Sequence, residues 1–131
     1  MKAIRCREWG APDLLRLEEA ERSSLERHQV RIRVHAAGVN FADSLMVGGT
    51  YQVRPPFPFT PGLEAAGEIV ETGSMVDGLQ AGQRVLAVLR NGGGYAEEIV
   101  LDAGAVVPIP DAMDFVTAAG FPVAMAPRIS R

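Results

Sequence analysis

The chain has 131 residues and a formal net charge of −3, with 13 Lys and Arg against 16 Asp and Glu. This mildly acidic balance excludes the broad positive surface that holds nucleic acid or an anionic membrane. No apolar run reaches the roughly 20 residues that span a bilayer, and the single cysteine, Cys6, cannot form an internal disulfide. We expect a cytoplasmic protein with one core and Cys6 as a small buried hydrophobic residue.

Short strands separated by turns are predicted along most of the chain. The sequence holds 14 Gly and 9 Pro, which favours turns over a helical bundle. The clearest alternation, at residues 30–34, places Arg31 and Arg33 on a polar face opposite three apolar side chains. In chain order, the predicted strands are residues 2–7, 14–19, 30–34, 65–71, 84–89, 95–101 and 105–109.

A short helix is predicted over residues 41–47, between the third and fourth strands. Phe41, Leu45 and Met46 have the spacing of one buried face. The helix should end at Gly48-Gly49, because glycine tolerates the left-handed conformation that closes a helix.

A proline-rich loop follows, and a second helix is predicted near the end of the chain. Residues 51–62 hold four prolines, which exclude both a helix and a central strand. Asp111 is predicted to cap the second helix, over residues 114–119. Together these elements predict a mostly-β fold, a barrel or folded sheet with one or two short helices.

The candidate functional residues lie between residues 38 and 67. The sequence lacks the common phosphate-binding, zinc-protease and serine-nucleophile motifs, and one Cys with two His is too few for an expected metal site. Asn40, Asp43, Tyr51 and Glu64 instead stand among apolar and proline residues. Each also has a structural interpretation, as a helix cap, a loop filler or an acceptor for buried backbone donors.

Several motifs in this region resemble one known family. They are Val39-Asn40-x-x-Asp43, Gly49-x-Tyr51, Pro55-Pro56-x-Pro58-Phe59-x-Pro61-Gly62-x-Glu64-x-x-Gly67, Gly82-Gln83-Arg84-Val85 and Gly94-Tyr95-Ala96-Glu97. Together they resemble the zinc-independent quinone oxidoreductase (zeta-crystallin-like) branch of the medium-chain dehydrogenase/reductase superfamily. The similarity extends from Met1 to about Ala124.

The resemblance implies a GroES-like, partly open β-barrel of the alcohol dehydrogenase N-terminal type over residues 1–124. Residues 125–131 depart from the family pattern and form an atypical tail. The Rossmann domain that carries the family's glycine-rich cofactor fingerprint is absent from the sequence. We therefore expect the chain to be inactive alone.

The resemblance also implies hydride transfer from NADPH to a quinone or another α,β-unsaturated carbonyl compound, without zinc. Asn40 and Leu63 stand where zinc-dependent relatives have Cys and His ligands. Asn40 would contact the nicotinamide and the substrate carbonyl, and Tyr51 would donate a hydrogen bond or proton to the developing enolate oxygen. Asp43 would orient Asn40, and Glu64 would be structural, accepting from the backbone or from a nearby cation.

A second hypothesis is a non-enzymatic β-domain that binds a hydrophobic ligand or a partner chain. Under the first hypothesis, loss of the cofactor domain should expose apolar surface and lead to self-association, whereas a clean monomer would favour the second. The size of the protein in solution distinguishes this hypothesis from the first.

Overall fold

The computed structural model describes residues 1–121. The predicted tail, residues 125–131, and the last three residues of the predicted domain lie outside the described residues. The elements are β1 (Lys2–Arg5), β2 (Arg16–Glu19), β3 (Gln29–Ala37), α1 (Phe41–Gly48), β4 (Glu64–Thr72), β5 (Arg84–Val88), β6 (Glu98–Asp102), β7 (Val106–Pro108) and α2 (Phe115–Ala119). Two single-turn 3-10 helices cover Pro12–Leu14 and Ala103–Ala105.

The strands form two open antiparallel sheets. β1 pairs with β2, and the larger sheet has the order β6-β3-β4-β5-β7. The central strands β3 and β4 are the longest, and their apolar residues, such as Val30, Ile32 and Ile69, form the main core. This confirms the prediction of a mostly-β fold with short helices, and the sheets are not closed into a barrel.

Arg31 lies on the polar face predicted for it, and it is buried there. The register between β3 and β4 shifts after Arg31, but β3 stays in continuous register with β6, so Arg31 lies on the face opposite the core residues Val30 and Ile32. Its side chain is compensated by two partners, Glu71 Oε1 at 3.0 Å and the Ser23 carbonyl at 2.8 Å from the guanidinium nitrogens. A buried cation is tolerated because these acceptors replace water.

The buried face predicted for α1 is wrong at Phe41, the first residue of the helix. Asp43, Met46 and Val47 form the buried stripe, and Phe41 is 78% exposed. Phe41 lies two residues before Asp43, about 200° around the helix, so it points away from the core. The predicted end is confirmed, because Gly49 adopts the left-handed conformation with φ 79°.

Three other boundaries differ from the prediction. Pro12 starts a 3-10 turn, so β2 begins only at Arg16. The strand predicted from residue 95 begins at Glu98, since the backbone N–H of Tyr95 donates to Pro61 in the proline-rich loop. The cap of α2 is Asp114 instead of Asp111, with its carboxylate 2.7 Å from the Thr117 N–H. Cys6 is buried as predicted.

Candidate functional site

Asn40 is the N-cap of α1 and belongs to a buried polar network. Its side-chain nitrogen Nδ2 donates to Glu64 Oε1 at 2.9 Å, and Glu64 is 2% exposed. Because a carboxylate oxygen only accepts, this contact fixes which end of the amide faces Glu64. The second hydrogen on Nδ2 is left for another acceptor.

Glu64 reaches Asn40 by passing over a glycine. A Cβ atom on Gly38 would lie 2.1 Å from Glu64 Oε1 and 2.6 Å from its Cγ. The backbone N–H of Gly38 also donates to the Glu64 carbonyl at 3.1 Å. The absence of a side chain at Gly38 therefore makes room for the Glu64 carboxylate.

Asp43 holds the backbone on both sides of the site. Its Oδ2 accepts from the backbone N–H of Asn40 at 2.8 Å, and its Oδ1 accepts from the backbone N–H of Gly62 at 3.1 Å. Asp43 is 5% exposed. It thus links the start of α1 to the end of the proline-rich loop, consistent with the orienting role expected from the resemblance.

Tyr95 is a member of this network that sequence reasoning did not select. Its hydroxyl lies 2.9 Å from the Gly38 carbonyl and 3.0 Å from Asp43 Oδ2. Burial, reinforced by the charge of Asp43, raises the pKa of Tyr95 above its ordinary value. The available signal was its place in the Gly94-Tyr95-Ala96-Glu97 motif, directly after a glycine run.

A cavity of about 140 Å³ lies beside the network. Asn40 and Tyr95 line one side of it. Its remaining walls are mainly apolar and come from Pro12, Leu15, Val39, Val47 and Pro61. Such an apolar cavity suits a neutral organic group, and Asn40 is the amide-bearing residue among those that line it.

Tyr51 lies at the other end of α1 and does not line this cavity. Helix α1 has eight residues, which separates its ends by about 12 Å. The Tyr51 ring packs against a cluster that contains Met46, Val47 and Phe59. Within residues 1–121 its hydroxyl makes no hydrogen bond, so it can meet a ligand.

The residues present do not form a set of zinc ligands. Leu63, which stands where zinc-dependent relatives have His, is buried in the same apolar cluster as Met46. In the part of the chain that the structure describes, no three His, Cys, Asp or Glu side chains are grouped so as to hold a metal ion. Over the same residues, no helix is long and apolar enough to cross a membrane.

A model of the alcohol dehydrogenase GroES-like domain matches residues 26–111. The chain belongs to this family. The match includes β3, α1 and the Asn40–Glu64 network, and it confirms the GroES-like fold predicted from the motifs.

Relatives of this GroES-like domain include proteins named as quinone oxidoreductases. A quinone oxidoreductase-like protein 2 homolog from Nematostella vectensis is 44% identical over 122 residues, which are 93% of this chain and 33% of that protein. The chain therefore spans about a third of the length of the curated relatives it matches.

Solved structures share the fold closely. A human synaptic vesicle membrane protein VAT-1 homolog-like protein has a TM-score of 0.93 at 32% identity, covering 98% of this chain and 41% of that one. A quinone oxidoreductase from Escherichia coli, solved in complex with NADPH, has a TM-score of 0.81 at 29% identity and covers 91% and 36%. These similarities support the predicted relation to quinone oxidoreductases.

Proposed function

We propose that this GroES-like domain supplies the substrate side of an NADPH-dependent quinone or enone oxidoreductase that works without zinc. The observation that carries the proposal is the Asn40 amide, which Glu64 holds at the edge of an apolar cavity. Relatives named quinone oxidoreductase, one of them solved with NADPH, support the choice of reaction.

Asn40 is proposed as the donor to the substrate carbonyl oxygen. NADPH, when bound, supplies the hydride, and the carbonyl oxygen gains negative charge as the conjugated carbon is reduced. The second Nδ2 hydrogen of Asn40 can donate to that oxygen, because the first is already directed to Glu64. A donor fixed before the reaction stabilises developing charge more than a mobile one does.

Tyr51 is proposed as the hydrogen-bond or proton donor to the enolate oxygen. Its hydroxyl is free of protein partners within residues 1–121, and the ring packs against Val47, which also lines the Asn40 cavity. Since α1 separates the two residues by about 12 Å, they would serve different oxygens, as the two carbonyl oxygens of a quinone allow, with the ring lying along this helix. Asp43 and Glu64 act as supports for Asn40.

The cavity beside Asn40 is too small to hold a whole NADPH molecule. The cavity beside Asn40 is about 140 Å³, smaller than the roughly 300–1,000 Å³ of typical ligand pockets. It has room for the reacting ring, and Asn40 is the residue proposed to contact the nicotinamide. We therefore propose that the 131-residue chain is inactive alone and needs a nucleotide-binding domain to hold the cofactor.

A hybrid enzyme tests this function. Residues 1–121 would replace the corresponding part of the Escherichia coli quinone oxidoreductase, and NADPH oxidation would be followed with a simple quinone and a metal chelator present. We expect turnover that depends on the quinone and is insensitive to the chelator. A folded hybrid that binds NADPH but does not reduce any quinone or enone, or whose activity the chelator removes, would contradict the proposal.

A partner-binding β-domain is the second candidate, favoured by exposed apolar residues beside the site. Val39 and Phe41, which flank Asn40, are 84% and 78% exposed. Such neighbouring side chains are typical of surfaces that another chain covers. Sedimentation of the purified chain over a hundredfold concentration range distinguishes the candidates: self-association would fit a surface that a cofactor domain covers, and a monomer throughout would favour a self-sufficient β-domain.

A further inference from the structure

We propose that Tyr95 is a positioning residue for Asn40. Its hydroxyl, through Gly38 and Asp43, fixes the backbone at Asn40, beside the cavity that Asn40 lines. The consequence for catalysis rests on the proposed function, whereas the positioning itself can be measured in the chain without any activity.

One carboxylate oxygen joins Tyr95 to Asn40. Asp43 Oδ2 accepts from the Asn40 backbone N–H at 2.8 Å and lies 3.0 Å from the Tyr95 hydroxyl. The only hydrogen bonds that reach this oxygen within residues 1–121 come from these two groups. Because both donors meet at one atom, a change at the Tyr95 hydroxyl alters the acceptor on which Asn40 depends.

The Tyr95 hydroxyl also contacts the chain before Asn40. It lies 2.9 Å from the carbonyl of Gly38, two residues earlier. Tyr95 therefore holds the backbone on both sides of Asn40, at Gly38 directly and at α1 through Asp43. Glu64 independently holds the Asn40 side chain.

Tyr95 is itself fixed by the proline-rich loop. Its backbone N–H donates to the Pro61 carbonyl at 3.1 Å, and the N–H of Gly94 donates to the Gly62 carbonyl at 3.0 Å. The N–H of Gly62 in turn donates to Asp43. The contacts form a closed ring from Tyr95 through the loop to Asp43 and back, so the hydroxyl has a defined position.

The surroundings of Tyr95 argue against a role as the proton donor. A tyrosine hydroxyl has one hydrogen, and here it faces two protein acceptors. Burial raises the pKa of Tyr95, and so do Asp43 and Glu64, because loss of the proton would place a third negative charge beside theirs. Tyr95 therefore acts through Asn40 and is not the group that protonates the substrate.

Selective labelling makes this positioning measurable, because the chain has only two asparagines, Asn40 and Asn91. A chain labelled with 15N-asparagine gives two side-chain amide pairs and two backbone amides in an NMR spectrum, and Asn91→Ala assigns them. We expect Tyr95→Phe to shift the Asn40 signals and to speed hydrogen exchange at the Asn40 backbone N–H by about 5- to 10-fold, the effect of one lost hydrogen bond.

Tyr51→Phe is the matched control, since Tyr51 and Tyr95 are the only tyrosines. It should leave the Asn40 signals and exchange rate unchanged. In a uniformly 15N-labelled sample, a core amide such as that of Val85 reports general loss of stability, and its exchange should change less than that of Asn40. Equal acceleration at both amides, or unchanged Asn40 signals in Tyr95→Phe, would overturn the proposal.

The wild-type chain provides a second test if Tyr95→Phe does not fold. The two Nδ2 hydrogens of Asn40 should differ in exchange rate, and the Asn40 backbone N–H should exchange more slowly than that of exposed Asn91. Similar rates for both asparagines would overturn the proposal.

In an active hybrid, Tyr95→Phe should lower kcat on the order of tenfold and change KM less, as a misplaced donor does. An inactive hybrid would contradict the proposed function and leave the NMR result decisive for Tyr95.

Discussion

Replacing Gly38 by alanine tests the support of the site most sharply. The added Cβ would lie 2.1 Å from Glu64 Oε1, so the carboxylate must move by about 1.3 Å to reach an ordinary contact of 3.4 Å. A displacement of that size away from Gly38 breaks the 2.9 Å hydrogen bond with Asn40 Nδ2. The backbone conformation of Gly38 is open to alanine, because its φ is not positive.

The expected cost follows from two effects. Loss of a hydrogen bond to a buried charged group costs about 1.5–3 kcal/mol, and overpacking costs about 1–3 kcal/mol. We expect Gly38→Ala to lower the free energy of unfolding by about 3–5 kcal/mol. For a chain of this length that corresponds to a fall in Tm of roughly 10–20 °C.

Gly48→Ala is the matched control for thermal unfolding followed by circular dichroism. A Cβ on Gly48 meets nothing within 4 Å, and the residue ends α1 in a helical conformation. It should leave Tm unchanged or raise it slightly, since alanine favours the helix by about 0.5–1 kcal/mol. A Gly38→Ala chain whose Tm lies within a few degrees of Gly48→Ala would refute the role assigned to Gly38.

Three further predictions follow from the titrating groups and the cavity. Absorbance titration should show one tyrosine with a pKa above the ordinary value of about 10, and this titration should be missing in Tyr95→Phe. Because folding raises this pKa, the free energy of unfolding of the wild type should fall more steeply than that of the variant as pH rises above about 10. Asp114→Ala should lower Tm at pH 7 where Asp111→Ala does not. Because its hydrogen bonds to Thr117 lower the pKa of Asp114, that difference should shrink as pH falls below about 4, and a constant difference would argue against the cap. Calorimetry should detect no NADPH binding to the 131-residue chain up to millimolar cofactor; saturable binding weakened by Asn40→Ala or Tyr51→Phe would show that this chain holds the nicotinamide unaided.

The sequence was most informative where the local pattern determines the structure. Alternation predicted β3, and the paired glycines predicted the end of α1, because these signals depend on neighbouring residues alone. The burial of Arg31 could not be predicted in the same way. It depends on acceptors, Glu71 and Ser23, that the fold brings from elsewhere in the chain.

In the candidate site, too, some contacts follow from the local sequence and others depend on the fold. Asn40 and Asp43 are three residues apart, so their link at the start of a helix is a local event that the sequence can indicate. Tyr95 lies 52 residues from Asp43 in sequence, and its hydrogen bonds arise only when the proline-rich loop packs beside α1. Glu64 was expected to accept from the backbone or a cation, and the structure pairs its carboxylate with the Asn40 amide.

The central claim is that the Asn40 amide donates to the substrate carbonyl oxygen, and kcat of the hybrid enzyme with quinone tests it most directly. Asn40→Ala should lower kcat by about 10²- to 10³-fold, as removal of one donor to a developing oxyanion does. Asn91→Ala, at the exposed asparagine of a turn, should leave kcat unchanged. Equal kcat values for the two variants would contradict the account.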